Sequence, residues 1–217
     1  GLNGSAAGVA AQHSQCYAAW YSHCPGLKVL APYTAEDARG LLKAGIRDNN
    51  PVIFLEHELM YGKDFDITEE ALDKDFTIPI GKAKIEIEGS DCTLVGFSRS
   101  VDHSLKAAHK LKEEHGINCE VINLRTVRPL DRKTIIDSVK KTHRLVTVED
   151  GWPQSGVGAE ICGLMMETSA FDYLDAPVER VTGADVPCPY AQNIEELAFP
   201  SGDVVANAVL RTLERNK

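Results

Sequence analysis

The sequence has no apolar run approaching the roughly 20 residues that a bilayer-spanning helix needs, so no membrane partner is expected. Positive charge is in deficit. Lys and Arg number 23 against 32 Asp and Glu, a net charge of −9; an acidic chain gains nothing by neutralising phosphates, which excludes nucleic acid as a partner. No C-x-x-C pair occurs. The six cysteines, Cys16, Cys24, Cys92, Cys119, Cys162 and Cys188, are too scattered for a zinc site, and 217 residues can build a core without disulfides. Reduced, mostly buried thiols are expected. P-loop, H-E-x-x-H and serine-elbow motifs are all missing, which removes the chemistries they carry. The chain also lacks a starting Met. It opens on GLNGSAAG, which is neither a signal nor a transit peptide and reads as the middle of something longer.

What is present is an alternation of strand and helix patterns. Residues 1–13, rich in Gly and Ala, read as a loop, and SQCYAAWYS as a short helix broken at Pro25-Gly26. LKVLAP is a strand. Thr34 then starts the clearest helix: Thr34-x-x-Asp37 fits a capping pattern, and Ala38, Leu41, Leu42, Gly45 and Ile46 share one face. VIFLE follows as a strand, so residues 27–56 read β-α-β. The acidic, turn-rich stretch 61–79 reads as a linker. From 80 to 217 the strands are GKAKIEIEG, CTLVGF, CEVINL, RLVTVE and VERVTG. Helices are expected from Ser100 to Gly116, from Asp131, over GVGAEICGLMME and over 201–214. The class is α/β, with a mostly parallel sheet flanked by helices.

Few residues suggest chemistry. GWPQSGVGAEI after RLVTVED invites a dinucleotide reading, but position 161 is Ile where the fingerprint needs a small residue. A tight strand-to-helix turn is the better reading. General α/β logic still places ligands or partners at the carboxyl ends of strands, where this turn lies. No histidine has metal spacing beside an acid. His103, His109 and His115 follow a polar helix stripe and are expected in solvent. His23 and His57 show no partner. His13 differs: it ends a Gly/Ala loop before an aromatic-rich helix, and a loop-borne imidazole suits proton transfer near neutral pH. Asp48, Asn49 and Asn50 close the Thr34 helix, where free carbonyls suit a hard cation or, more simply, a turn before Pro51. Nearly all other acids read as solvated helix faces.

GLNGSAAGVAAQHSQCYAAWYSHCPGLKVLAPYTAEDARGLL resembles the second half of the pyrimidine-binding domain of thiamine-diphosphate-dependent 2-oxoacid dehydrogenase β subunits. GKAKIEIEG, VINLRTVRPLD, LVTVEDGWPQSGVGAEI and VTGADVPCPY resemble the transketolase-type C-terminal domain that follows it. GWPQSGVG and TGADVPCPY are nearer the pyruvate enzymes than their branched-chain relatives. On this resemblance residues 1–60 are the C-terminal part of a pyrimidine-binding domain, 61–79 a linker and 80–217 a transketolase C-terminal-like domain. It implies an α₂β₂ decarboxylase of the mitochondrial matrix, or of a bacterial cytoplasm, with an α subunit and a second β subunit as partners. The reaction would be oxidative decarboxylation of pyruvate, with acetyl transfer to lipoyl groups of a dihydrolipoyl acetyltransferase core.

The same resemblance implies His13, in AAQHSQ, as the active-site histidine. It implies the carbonyls of Gly45, Ile46, Asp48 and Asn50, in GIRDNN, as ligands of a structural potassium ion, with Gly45 standing for the usual Ala. Asp175, in FDYLDAP, would contact the subunit-binding domain of the core. Thiamine diphosphate would be shared with the α subunit, which also brings magnesium. The cofactor-activating glutamate and at least one potassium ligand would lie upstream of Gly1. No cofactor-binding residue is therefore expected here, and the chain alone is expected to be inactive. Residues 1–60 are expected to leave apolar strand edges uncovered. Three other readings stay open: a non-catalytic assembly and docking module, the β subunit of a branched-chain 2-oxoacid dehydrogenase, and a flavodoxin-like nucleotide binder.

Overall fold

The computed structural model describes residues 3–5 and 8–214. The first part contains α1 (Ala10–His13), α2 (Ala18–His23), β1 (Lys28–Leu30), α3 (Ala35–Ile46) and β2 (Val52–Phe54), with β1 and β2 parallel across the α3 crossover. A 3-10 turn at Glu58–Met60 and the single turn α4 (Glu69–Leu72), capped by the Thr68 hydroxyl, follow. Then come β3 (Lys84–Ile87), β4 (Cys92–Gly96), α5 (Arg99–His115), β5 (Cys119–Asn123), β6 (Thr126–Arg128), α6 (Arg132–Thr142) and β7 (Leu145–Val148). The chain closes with α7 (Val157–Met166), β8 (Glu179–Val181), α8 (Gln192–Ala198) and α9 (Gly202–Glu214).

The larger sheet has the order β3-β5-β4-β7-β8, parallel except at the β3 edge. This is the mostly parallel, helix-flanked sheet that the pattern implies. Alternation along each strand feeds two cores. Leu94, Val121, Val146 and Val148 face α5 and α9, against Val101, Leu111, Val205 and Val209. Val95, Ile122 and Leu145 face the other way, against Ile135, Val139, Ile161 and Leu164 of α6 and α7. That second core also takes Ala18, Val29, Ala31 and Leu55 from the first part of the chain, so the two parts share apolar packing.

One strand was not legible in the pattern. β6 leaves the larger sheet and pairs antiparallel with β1, giving the smaller sheet the order β2-β1-β6. Of the strand edges in residues 1–60 expected to lie bare, that of β1 is therefore covered by a segment almost 100 residues downstream, while β2 remains at the edge of the sheet. Another expectation needs correcting. Of the apolar face of α3, Leu41 is buried, but Leu42 and Ile46 are exposed. All six cysteines are free, with Cys16, Cys92, Cys119 and Cys188 buried. Burial pushes the Cys119 thiol up to about 12, where it stays protonated and inert.

Asp37 holds the two parts in register. Thr34 accepts from the Asp37 N–H at 3.0 Å, and the Asp37 carboxylate returns the bond to the Thr34 N–H at 3.2 Å, the reciprocal capping box. The same carboxylate is fully buried and also accepts from Asn123 Nδ2 at 2.8 Å and Arg125 Nε at 2.6 Å. Arg125 sits at a φ of +58°, in the tight turn between β5 and β6. Its carbonyl accepts the Ala31 N–H at 2.9 Å, just past β1. A single acid thus starts α3 and fixes the turn that delivers β6. Asp37→Ala leaves the largely buried Arg125 guanidinium unpaired, and a loss of about 3–5 kcal/mol is expected. Chemical denaturation of the chain measures it; a loss near 1 kcal/mol would reduce Asp37 to an ordinary helix cap.

Candidate active-site loop and its seat

The connections of the larger sheet define where a site is expected. From β4 the chain crosses to β5 on one side; from β5 it crosses back to β7 on the other. The carboxyl ends of β4 and β7 therefore flank a topological crevice, the usual ligand position in open α/β sheets. Ser98 and Arg99 follow β4, and Glu149 and Asp150 follow β7. Here the occupant comes from the chain itself. An added Cβ at Gly4 (φ +110°) would lie 2.4 Å from Asp150 Oδ2 and 2.9 Å from His57 Cδ2, so only glycine lets the N-terminal loop lie this deep.

The floor beneath Gly4 is a buried pair. His57 Nε2 lies 2.9 Å from Asp150 Oδ2, with both side chains almost wholly enclosed. His57 Nδ1 accepts the Leu59 N–H at 3.2 Å, which leaves Nε2 as the donor to Asp150. Burial alone would raise the Asp150 carboxyl. The His57 hydrogen bond, helped by the nearby Arg99 guanidinium, outweighs burial and holds it below the usual carboxylate range. His103, expected in solvent, is buried. Desolvation lowers its pKa, and Nδ1 has no hydrogen-bond partner among the described residues. His57 also gains a partner that its sequence neighbourhood did not reveal.

The G-x-G turn is explained by Glu149. Its carboxylate accepts the N–H groups of Val157 at 3.2 Å and Gly158 at 2.7 Å. The donors that would cradle a pyrophosphate are spent on this buried acid, whose pKa burial raises despite those bonds. The tight-turn reading holds, and the dinucleotide reading loses its anchor. Most acids are expected on solvated helix faces, yet Glu149 and Asp150 after β7 and Glu195 are buried and engaged, as is the capping acid Asp37.

His13 ends α1 on the loop that enters this crevice. The neck of the loop is tied by the Asn3–Cys16 bridge and by the Gly4 N–H to the Gln15 carbonyl at 2.9 Å. Arg99 Nη1 donates to Ser5 Oγ at 2.8 Å, and Glu195 Oε2 accepts the Gly8 N–H at 2.8 Å. A cleft of about 500 Å³ beside it is lined by Ser5, Gly8, Arg99, His103 and Glu195. The His13 ring is exposed and makes no hydrogen bond among the described residues, although Ser14 beside it is fully buried. An exposed imidazole on an anchored backbone is free to exchange a proton with something outside the chain.

The other site residues lie apart. Gly45, Ile46, Asp48 and Asn50 gather where α3 ends, with the Asp48 N–H on the Gly45 carbonyl at 3.3 Å. Lys28 Nζ bonds the Asp48 carboxylate, and Asn50 adds its N–H at 2.9 Å and its amide at 2.8 Å; together they hold that carboxyl down at about 2. Asp175 lies at the amino end of β7, the opposite end from Asp150. Its N–H meets the His143 carbonyl at 2.9 Å, and Arg144 Nη1 lies 3.8 Å from its half-exposed carboxylate. No group of three or more His, Cys, Asp or Glu that could hold a metal occurs among the described residues, nor any helix long and apolar enough to cross a membrane.

Residues 3–63 match the family described as transketolase, pyrimidine binding domain, and residues 81–205 the family described as transketolase, C-terminal domain. The chain is 66% identical, over all 217 of its residues, to pyruvate dehydrogenase E1 component subunit beta-1, mitochondrial, of Arabidopsis thaliana. It is 61% identical, over 98% of its length, to the corresponding mitochondrial beta subunit of Homo sapiens. In both cases it spans 59% of the relative's own length. A split-gene transketolase described as an inactive β4 tetramer superposes on 98% of this chain and 65% of its own, with a TM-score of 0.77 at 23% identity, which speaks to the fold. With the larger family match covering more than half of its residues, the chain belongs to the transketolase C-terminal-domain family, joined to a transketolase pyrimidine-binding part.

Proposed function

We propose that the chain is part of the β subunit of a pyruvate dehydrogenase, acting in the mitochondrial matrix with an α subunit and a second β subunit. In that reading residues 1–60 and 80–217 are two domains joined by 61–79. The reaction is oxidative decarboxylation of pyruvate, with acetyl transfer to lipoyl groups of the acetyltransferase core. The observation that carries it is His13: exposed, without a hydrogen-bond partner among the described residues, and set on a loop held by Arg99 and Glu195 of the second part of the chain. The high identity to mitochondrial pyruvate dehydrogenase beta subunits supports the substrate.

Thiamine diphosphate, bound between this chain and the α subunit with magnesium on the α side, supplies the carbanion chemistry. The buried carboxylates around the loop are committed within the chain: Asp150 to His57, Glu149 to Val157 and Gly158, Glu195 to Gly8. One oxygen, Asp150 Oδ1, has no hydrogen-bond partner among the described residues. The contribution of this chain is His13. A ring nitrogen of His13 either hydrogen-bonds the substrate or intermediate or gives a proton to the lipoyl sulfur as the dithiolane opens.

Potassium, in this proposal, sits on the carbonyls of Gly45, Ile46, Asp48 and Asn50. The Gly45 carbonyl accepts the Asp48 N–H but keeps a second lone pair, and the Asp48 carboxylate is already taken by Lys28, so a site built on carbonyls suits a monovalent cation. Asp175, accessible at the far end of the sheet, is the proposed contact for the subunit-binding domain of the core.

In full-length β chain assembled with its α subunit, His13→Ala should lower reductive acetylation of lipoamide by about 100-fold or more; near-normal transfer removes His13 from the mechanism. Exchanging potassium for choline at equal ionic strength should lower the thermal midpoint of the assembled enzyme by the equivalent of about 1–3 kcal/mol. An unchanged midpoint counts against the cation site. Asp175→Ala should weaken binding to the subunit-binding domain roughly three- to tenfold, with a flatter salt dependence. Calorimetric titration that finds equal affinities would move the docking surface elsewhere.

A further inference from the structure

His13 cannot act from a loose loop. Proton delivery tolerates little misplacement, and an error of about 1 Å costs on the order of 100-fold in rate. The loop from Gly4 to Gln15 is closed at its neck, but a neck alone lets the rest swing as a flap. What stops the flap comes from the other part of the chain.

We propose that Glu195, seconded by Arg99, is a positioning residue that fixes His13 for proton transfer; this rests on the function proposed above for that histidine. Glu195 lies in the first turn of α8, 187 residues from the Gly8 N–H it accepts at 2.8 Å. Its carboxylate is buried, and desolvating an acid costs several kcal/mol unless donors replace water. Its donors among the described residues are the Gly8 N–H and the Cys188 thiol, 3.7 Å from Oε1; burial keeps that thiol protonated by raising its pKa. The acid is therefore held in the interior with the loop backbone as its principal partner. Gly8 meets it at a φ of +68°, a conformation that glycine adopts without strain, and an added Cβ there would touch nothing. The requirement at Gly8 is backbone direction, which aims its N–H at Glu195.

The second tie is the bond from Arg99 Nη1 to Ser5 Oγ. Beyond Gly8, the chain runs through α1 to His13 and is fixed again at the fully buried Ser14. The exposed ring of His13 thus stands between a pinned Gly8 and a pinned Ser14, and removing either pin frees its backbone.

The test uses full-length β chain assembled with its α subunit and measures reductive acetylation of lipoamide and amide hydrogen exchange. Glu195→Ala should lower kcat about 10- to 100-fold with little change in KM for pyruvate, and should speed exchange at residues 8–13. Glu195→Gln keeps an acceptor oxygen for the Gly8 N–H and should restore most of the rate. In a His13→Ala background, Glu195→Ala should have no further effect, because its influence passes through His13. Equal losses from Glu195→Ala with and without His13, or a Gln variant as poor as Ala, overturn the proposal. Should His13→Ala itself leave transfer intact, the function assigned to His13 fails first. The clamp is then judged by exchange alone, and unchanged protection at residues 8–13 overturns it.

Discussion

A buried carboxylate with four donors organises the molecule. Asp37 takes the N–H groups of Tyr33 and Thr34, the Asn123 amide and the Arg125 guanidinium. Oxygens so fully used make an interior charge tolerable. The consequences spread outward from it. α3 starts at Thr34 because Asp37 closes its capping box. Arg125 is held left-handed, which turns the chain out of β5 and into β6. β6 then covers β1, and Val29, Ala31 and Leu55 enter the same core as Ile122 and Leu145. Two families of sequence become one packed body through a contact 88 residues apart in the chain.

The crevice at the carboxyl ends of β4 and β7 follows from topology alone. Most doubly wound sheets leave such a crevice for a small molecule. Here it takes a peptide: Gly4 on the Asp150–His57 pair, Ser5 on Arg99. A permanent occupant changes the economy of the site. Gly4, Ser5 and Gly8 find their partners at folding rather than at binding, so the described ends of the loop are seated before any substrate arrives. Preorganisation of this kind lets a surface histidine keep a defined position while its ring remains exposed.

Much of this was legible in the sequence, and the limits have a physical pattern. The helices α3, α5 and α6 and the strands β1, β2, β4, β5 and β7 follow local periodicity and capping, as with Asp131, whose side chain accepts the Thr134 N–H. His13 stood out from its loop, and the long motifs around it made it specific. β6 did not stand out, because three residues after a turn carry no period and gain their identity from β1. Nor did the partnership of His57 with Asp150, 93 positions away, or of Gly8 with Glu195. One signal was available: Glu149-Asp150 directly after a central strand, at the crevice that α/β topology singles out. Acids there have a better claim to burial than acids on a helix face.

The same reasoning explains why His103 escaped notice. On α5 it falls one turn after Arg99, among Asp102, Lys106 and His109, and the stripe reads as polar. Polarity of a stripe predicts exposure only where nothing else packs on it. Gly202, at the start of α9, comes within reach of the Lys106 Cβ and the His103 carbonyl, and the loop cleft lies on the other flank. Two downstream segments, the Glu195 region and the start of α9, therefore enclose a face that the sequence of α5 alone would leave in water. Burial lowers the His103 pKa by removing its hydration, and no group among the described residues replaces that water at Nδ1. Exposure on this face of α5 is thus decided by what packs on it, while Arg99 at the start of the same helix donates to Ser5 and Glu195 accepts from Gly8.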